Sequence, residues 1–191
     1  MKIILMRHGE IAKPDHVKRF IGQSDYPMTE RGKADVRKKL KRLKEKYPTV
    51  SKICCSDLQR CIQTAKIAAE IYGKNFKADA FLREISLGSW EGQIMDEVRK
   101  NFPWAYEMRG RDPGKFCPPG GENFQEAADR ALKALKRQTN GQKDNAPLLV
   151  ITHAGIIRAL RCREEKKSLQ HVFEYRVEYG DYLVTEHLLE F

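Results

Sequence analysis

Two short apolar runs constrain this chain of 191 residues more than any other feature. Residues 2–6 lead into Arg7-His8-Gly9, and residues 147–152 lead into His153-Ala154-Gly155. Each run has the length of a strand and stops at a histidine followed by a small residue. Such runs read as buried parallel strands. In open α/β sheets, ligands bind beyond the carboxyl ends of the strands. Both histidines therefore reach one crevice if the two strands are parallel and adjacent. A lone histidine is ordinary structure, whereas two at matching strand ends point to a site.

Between these runs the pattern alternates. Residues 31–46 place Val36, Leu40, Leu43 and Tyr47 on one stripe, which predicts an amphipathic helix with Thr29 as its N-cap and Pro48 beyond its end. Residues 51–55 read as a second strand. A helix capped by Ser56 or Asp57 follows to Tyr72, and Gly73 stops it. Residues 78–82 read as a short extended piece, 83–92 as a loop and 94–102 as a helix. Residues 103–121 carry four of the prolines and four of the glycines and read as a loop-rich excursion, so 93–121 is a candidate lid insertion in a single domain. Residues 122–139 and 155–162 read as helices, and 172–177 and 182–189 as final strands around a turn at Tyr179-Gly180-Asp181. Alternating strands and helices imply an α/β layered fold.

Composition removes several function classes. The hydrophobic fraction of 41% can build a core and excludes wholesale disorder. No apolar run approaches the ~18 residues of a membrane span, and the N-terminal run is too short for a signal peptide, so the expected compartment is the cytoplasm. The five cysteines are odd in number and form no Cys-x-x-Cys pair, which disfavours a disulfide framework or a zinc site and suits buried thiols. The net charge of +10 admits nucleic acid, acidic surfaces or small anions. Much of the excess lies on the helix 31–46, which carries no interleaved aromatics for base stacking. Its basic face therefore reads as solvated, and no nucleic-acid partner is expected.

Four ordered segments resemble the histidine phosphatase superfamily, the phosphoglycerate-mutase-like enzymes. They are Arg7-His8-Gly9-Glu10, the stretch from Ser56 to Ala65 with its Leu58, Arg60, Gln63 and Thr64, the acidic loop Leu82-Arg83-Glu84 with Gly88 to Gly92, and Thr152-His153-Ala154-Gly155 with Arg158. The resemblance spans nearly the whole chain. It implies a three-layer α/β/α sandwich around a mostly parallel mixed sheet. It also implies His8 as a nucleophile that forms phosphohistidine, Glu84 as general acid, and Arg7, Arg60 and His153 as the phosphate cradle. These types suit the chemistry. A guanidinium grips phosphate oxygens as a fork, a protonated His153 adds a donor, and a neutral imidazole nitrogen attacks phosphorus. With cations in place, neither a metal nor another cofactor is required. Glu91 is the competing carboxylate.

The chain departs from the family pattern at Ile11, where many relatives have Thr, and at Pro14, where many have an Asn that helps hold the phosphoryl group. Gln23 and Ser24 lie in a Gly-x-x-Asp-x-Pro segment and are candidate substrate contacts. The short middle region and Pro118-Pro119-Gly120-Gly121-Glu122-Asn123 are similar to the small bacterial phosphatases, among them the α-ribazole phosphatases of the cobalamin pathway. The resemblance thus implies a phosphomonoesterase acting on a small phosphorylated metabolite such as α-ribazole 5′-phosphate. A phosphoglycerate-type mutase and a non-enzymatic phospho-ligand or nucleic-acid binder are the alternatives. The oligomeric state stays open, with a homodimer among the options.

Overall fold

The computed structural model describes residues 1–141 and 145–189. Five strands form one sheet in the order β3-β2-β4-β1-β5. They are β1 (Ile3–Arg7), β2 (Ile53–Cys55), β3 (Phe76–Ala78), β4 (Leu148–Thr152) and β5 (Tyr182–Thr185). β1 and β4 are parallel neighbours, with Arg7 opposite Thr152. β2 runs parallel to both β3 and β4. Only β5 is antiparallel, on the free side of β1.

Side chains alternate across the sheet with the period of two that strand geometry imposes. Ile4, Met6, Cys55, Leu149 and Ile151 pack with the helices α1 (Glu30–Lys46) and α2 (Gln59–Tyr72). Ile3, Leu5, Cys54, Leu148 and Val150 pack with α5 (Phe124–Thr139) and α6 (Ala154–Glu164). The result is the three-layer α/β/α sandwich. Both faces of the central strands are covered, which is why their sequences are apolar without interruption.

The local signals mostly act as expected. Thr29 caps α1 by accepting from the Gly32 amide at 2.8 Å, and Val36, Leu40 and Leu43 are buried beneath it while Tyr47 is half-buried. Gly73 ends α2 in the left-handed conformation, φ 65°. Asn123 and Glu126 close a capping box at the start of α5.

Several elements differ from the sequence expectation. Neither Ser56 nor Asp57 is the cap of α2: that position is Leu58 without a side-chain cap, Ser56 Oγ accepts from the Leu58 amide, and Asp57 is paired with Arg83. The excursion after α3 (Met95–Asn101) contains a further helix, α4 (Pro103–Arg111). Pro103 opens that helix rather than breaking it, since the first turn does not need its missing N–H. Residues 172–177 form no strand. A 3-10 turn spans Leu169–Glu174, and Val172 anchors it in the core. Four cysteines are buried and free, but Cys117 is exposed. Among the described residues no helix is long and apolar enough to cross a membrane.

Much of the basic face of α1 is engaged within the chain. Lys39 bonds the Tyr179 carbonyl and Asp181, Arg37 pairs with Glu70, and Lys44 donates to the Ile71 carbonyl.

Candidate active site

The site is built where β1 and β4 end side by side. The His8 amide donates to the Thr152 carbonyl at 3.1 Å, which extends the β1–β4 ladder by one residue. His8 and His153 consequently meet with ring centroids 5.1 Å apart, edge against face. The chain turns at Gly9 because nothing larger fits: a Cβ there would lie 2.7 Å from Met28 Sδ and 2.9 Å from the Gly32 carbonyl. Gly32 is equally tight, with its own notional Cβ 2.5 Å from the Glu10 carbonyl. The first turn of α1 thus presses directly on the backbone that follows His8. Thr64 of α2 accepts from the Gly9 amide at 3.2 Å.

The His8 ring has a defined proton arrangement. Nδ1 lies 2.7 Å from the Gly9 carbonyl. A carbonyl can only accept, so Nδ1 carries the hydrogen. Burial, then the charges of Arg60 and Arg7, push His8 well below its ordinary value, against a smaller opposing effect of the Gly9 bond. The ring is neutral and Nε2 keeps its lone pair.

Arg60 is buried in the first turn of α2. Its Nε donates to His153 Nδ1 at 3.2 Å, Nη1 to the Ser24 carbonyl at 2.6 Å and Nη2 to the Gly22 carbonyl at 2.7 Å. Each Nη keeps one further N–H. His153, fully buried at the N-cap of α6, also has Cys61 Sγ 3.4 Å from Nε2. Burial and the Arg60 charge pull His153 well below its ordinary value. The free site therefore holds it neutral, and the sequence expectation of a protonated donor does not apply there. Burial raises the Cys61 thiol far above its ordinary value, so it stays protonated.

Arg7 lies over the Tyr179 ring, 3.9 Å from guanidinium carbon to centroid. Its Nη1 donates to the Val177 carbonyl at 2.7 Å, while its buried Nε has no acceptor. Glu84 faces the start of α6: one carboxylate oxygen accepts from the Gly155 amide at 3.0 Å and the other from the Ile85 amide at 3.0 Å. A Cβ on Gly155 would sit 2.4 Å from that second oxygen, so the carboxylate's approach depends on glycine.

Gln23 donates from Nε2 to the Glu84 carbonyl at 3.0 Å, and Ser24 offers its carbonyl to Arg60. Gln23 thus braces the Glu84 backbone, and Ser24 braces Arg60. Glu91 accepts from the Gln23 and Leu87 amides and ties the two loops together. Ile11 is buried and bridges Met28, and Pro14 is exposed in a bend.

Sequence reasoning gave no role to five contributors. Arg130 of α5 donates to the carbonyls of Phe81, Arg83 and Glu84, and Glu122 joins it to the Ser86 amide. Tyr179 was visible only as part of a turn. Arg109 of α4 and Arg158 of α6 complete the surroundings: the charge of Arg158 acts on Arg7 and Arg109, and Glu84 acts on both. The Arg158 spacing after His153 was a usable signal, while Arg109 had none. Among the described residues no His, Cys, Asp and Glu cluster could hold a metal ion.

A doubly covered, mostly parallel sheet with two histidines and two arginines at the ends of its strands and first turns defines an anion-handling α/β enzyme. The chain belongs to the histidine phosphatase superfamily (branch 1), whose family model matches residues 3–187, and is an enzyme of the phosphatase type found there. A glucosyl-3-phosphoglycerate phosphatase of Mycolicibacterium vanbaalenii is 29% identical over 83% of this chain and 72% of its own length. The phosphoglycerate mutase-like protein 4 of Arabidopsis thaliana is 30% identical over 92% and 77%. The α-ribazole phosphatase of Shigella flexneri shares the fold, with TM-score 0.82 at 22% identity over 97% of this chain and 90% of that one.

Proposed function

We propose that this chain is a metal-independent phosphomonoesterase that works through phosphohistidine at His8. The observation that carries this reading is the 2.7 Å contact from His8 Nδ1 to the Gly9 carbonyl, which leaves Nε2 unprotonated between Arg7, Arg60 and His153. In the proposed first step Nε2 attacks phosphorus in line and the ester P–O bond breaks. Glu84 gives its proton to the departing alkoxide. Water then attacks the phosphohistidine, the P–N bond to His8 Nε2 breaks to release inorganic phosphate, and Glu84 accepts the water's proton. The free N–H groups of Arg60 and the unpaired Nε of Arg7 supply donors for the phosphoryl oxygens. An unpaired buried donor costs about 1–3 kcal/mol, and an incoming phosphoryl oxygen would remove that cost at Arg7. His153 would join the cradle by giving up its contact with Arg60 or Cys61.

The substrate in this reading is a small phosphorylated metabolite in the cytoplasm, with α-ribazole 5′-phosphate and glucosyl-3-phosphoglycerate as the two candidates that its relatives suggest. Hydrolysis is favoured over mutase activity because the short middle region and Pro118-Pro119-Gly120-Gly121-Glu122-Asn123 are similar to the small bacterial phosphatases. Residues 93–121 act as a lid, and Gln23 and Ser24 border the substrate. Internal pairing of the α1 cations supports an enzyme rather than a nucleic-acid binder.

The test is a rapid quench after mixing with radiolabelled substrate. Label should stay on the protein in alkali and be lost in acid, and His8→Ala should abolish both labelling and turnover. Acid-stable label, or turnover surviving in His8→Ala, refutes the mechanism.

A further inference from the structure

Arg7 needs more than its own bonds to serve a phosphoryl group. Its side chain is long, and the bond from Nη1 to the Val177 carbonyl fixes one point on the guanidinium but not its plane. Its buried Nε has no acceptor, so a group free to turn would swing until that N–H found a partner. The Tyr179 ring stands against that swing. The guanidinium carbon lies over it, 3.9 Å from the centroid, which is face contact. The same ring is 5.7 Å from that of His8. One aromatic side chain therefore borders both the proposed nucleophile and the cation beside it.

The ring is carried by the turn at residues 177–181, which is tied to both β1 and α1. The Arg7 amide donates to the Asp181 carbonyl at 2.8 Å, and the Gly180 amide to the His8 carbonyl at 3.2 Å. One Asp181 carboxylate oxygen closes the turn by accepting from the Glu178 amide at 2.9 Å. The other tie comes from the basic helix. Lys39 Nζ donates to the Tyr179 carbonyl and to the second Asp181 oxygen, each at 2.8 Å. Gly180 allows this approach: it holds φ 70°, and a Cβ there would lie 2.9 Å from Lys39 Cδ. We propose that Tyr179 is a positioning residue that sets the plane of the Arg7 guanidinium, and that Lys39 fixes the turn carrying it. The basic helix then acts on phosphate at one remove, through this lysine. The inference rests on the phosphomonoesterase reading only for phosphate being the ligand of Arg7.

Double-mutant cycles, read by calorimetric titration with inorganic phosphate, test it without turnover. Tyr179→Leu should weaken phosphate binding about threefold to thirtyfold, the range a cation–π contact spans. Tyr179→Phe keeps the ring and should recover most of that loss. Lys39→Met should cost about twofold to fivefold. An Arg7→Lys protein presents an ammonium with no plane to set. In that background Tyr179→Leu or Lys39→Met should cost under about twofold, because each acts through the guanidinium. Losses of the same size in the Arg7→Lys protein overturn the proposal, since packing alone would produce them. Unchanged affinity in either single variant overturns it too. Lys39 is partly exposed, so Lys39→Met decides the matter if Tyr179→Leu does not fold. Failure of the acid-labile phosphoenzyme test would refute the phosphatase reading separately, because these affinities do not depend on turnover.

Discussion

Replacing Gly155 by alanine separates the acid role of Glu84 from simple packing. The added Cβ would lie 2.4 Å from one Glu84 oxygen and 3.1 Å from its carboxyl carbon. Even weak C–H···O contacts sit near 3.3 Å, so the carboxylate must retreat by about 1 Å. That movement breaks its 3.0 Å bond to the Gly155 amide. Losing a hydrogen bond to a charged group costs about 1.5–3 kcal/mol, and a 1 Å misplacement costs about a hundredfold. The expected fall in kcat/KM is thus about tenfold to a hundredfold for an alkyl phosphate, whose alkoxide must be protonated. For p-nitrophenyl phosphate, whose phenolate leaves without a proton, the fall should be under about threefold. The fold itself should not suffer, since Gly155 lies in the first turn of α6 at negative φ and alanine is the better helix former by up to about 1 kcal/mol. Steady-state kinetics on both substrates, with thermal unfolding alongside, make the comparison. Equal losses on the two substrates, or none on either, would refute the placement of Glu84 at the leaving group.

Three other outcomes follow from the same geometry. Both buried histidines are held below their ordinary value of 6.5 while the unfolded chain takes up protons there. Stability should therefore be fully present above about 6.5 and fall below it, by up to about 1.4 kcal/mol per pH unit for each ring. Urea unfolding at about pH 5.5 and about pH 7.5 reads this, and His153→Gln should remove about half of the slope. Arg60→Lys cannot reach His153, Ser24 and Gly22 together, so kcat/KM should drop about a hundredfold and stability by about 2 kcal/mol, and near-normal kinetics would argue against the cradle. Asn123→Ala opens the capping box of α5, which should cost about 1 kcal/mol and about 2–4 °C in Tm while kcat stays within about twofold.

The parts of the molecule legible in sequence are those whose signals are local. The apolar runs of β1 and β4, the Thr29 cap and Gly73 are read by near neighbours, and the fold follows their chemistry. The failures have a common cause. Val172 and Phe173 have the composition of a strand, but tertiary contacts wind them into a 3-10 turn with Val172 buried. Pro103 and the glycines around α4 read as a loop because proline's tolerance at a helix start is positional, not compositional. In the site, His8, Arg60, Glu84 and His153 stand in recognisable segments. Arg109 does not, since only the fold-back of α3 and α4 brings it toward Phe20 and Phe173. Nor does sequence tell that Glu91 ties together the loops of Gln23 and Leu87, whereas Glu84 meets the Gly155 amide that opens α6.

The position of β1 between β4 and β5 has a consequence for how the protein is made. The strand synthesised first finds both of its partners only in residues 148–152 and 182–185. During translation it must wait, apolar and unpaired on two edges, while the β2–β3 pair and their helices can already form. His8 rides on that strand and cannot meet His153 until it inserts. Recovery of activity during refolding should consequently lag behind the helical signal and track closure of the sheet's centre, so the active site doubles as a reporter of the last long-range pairing.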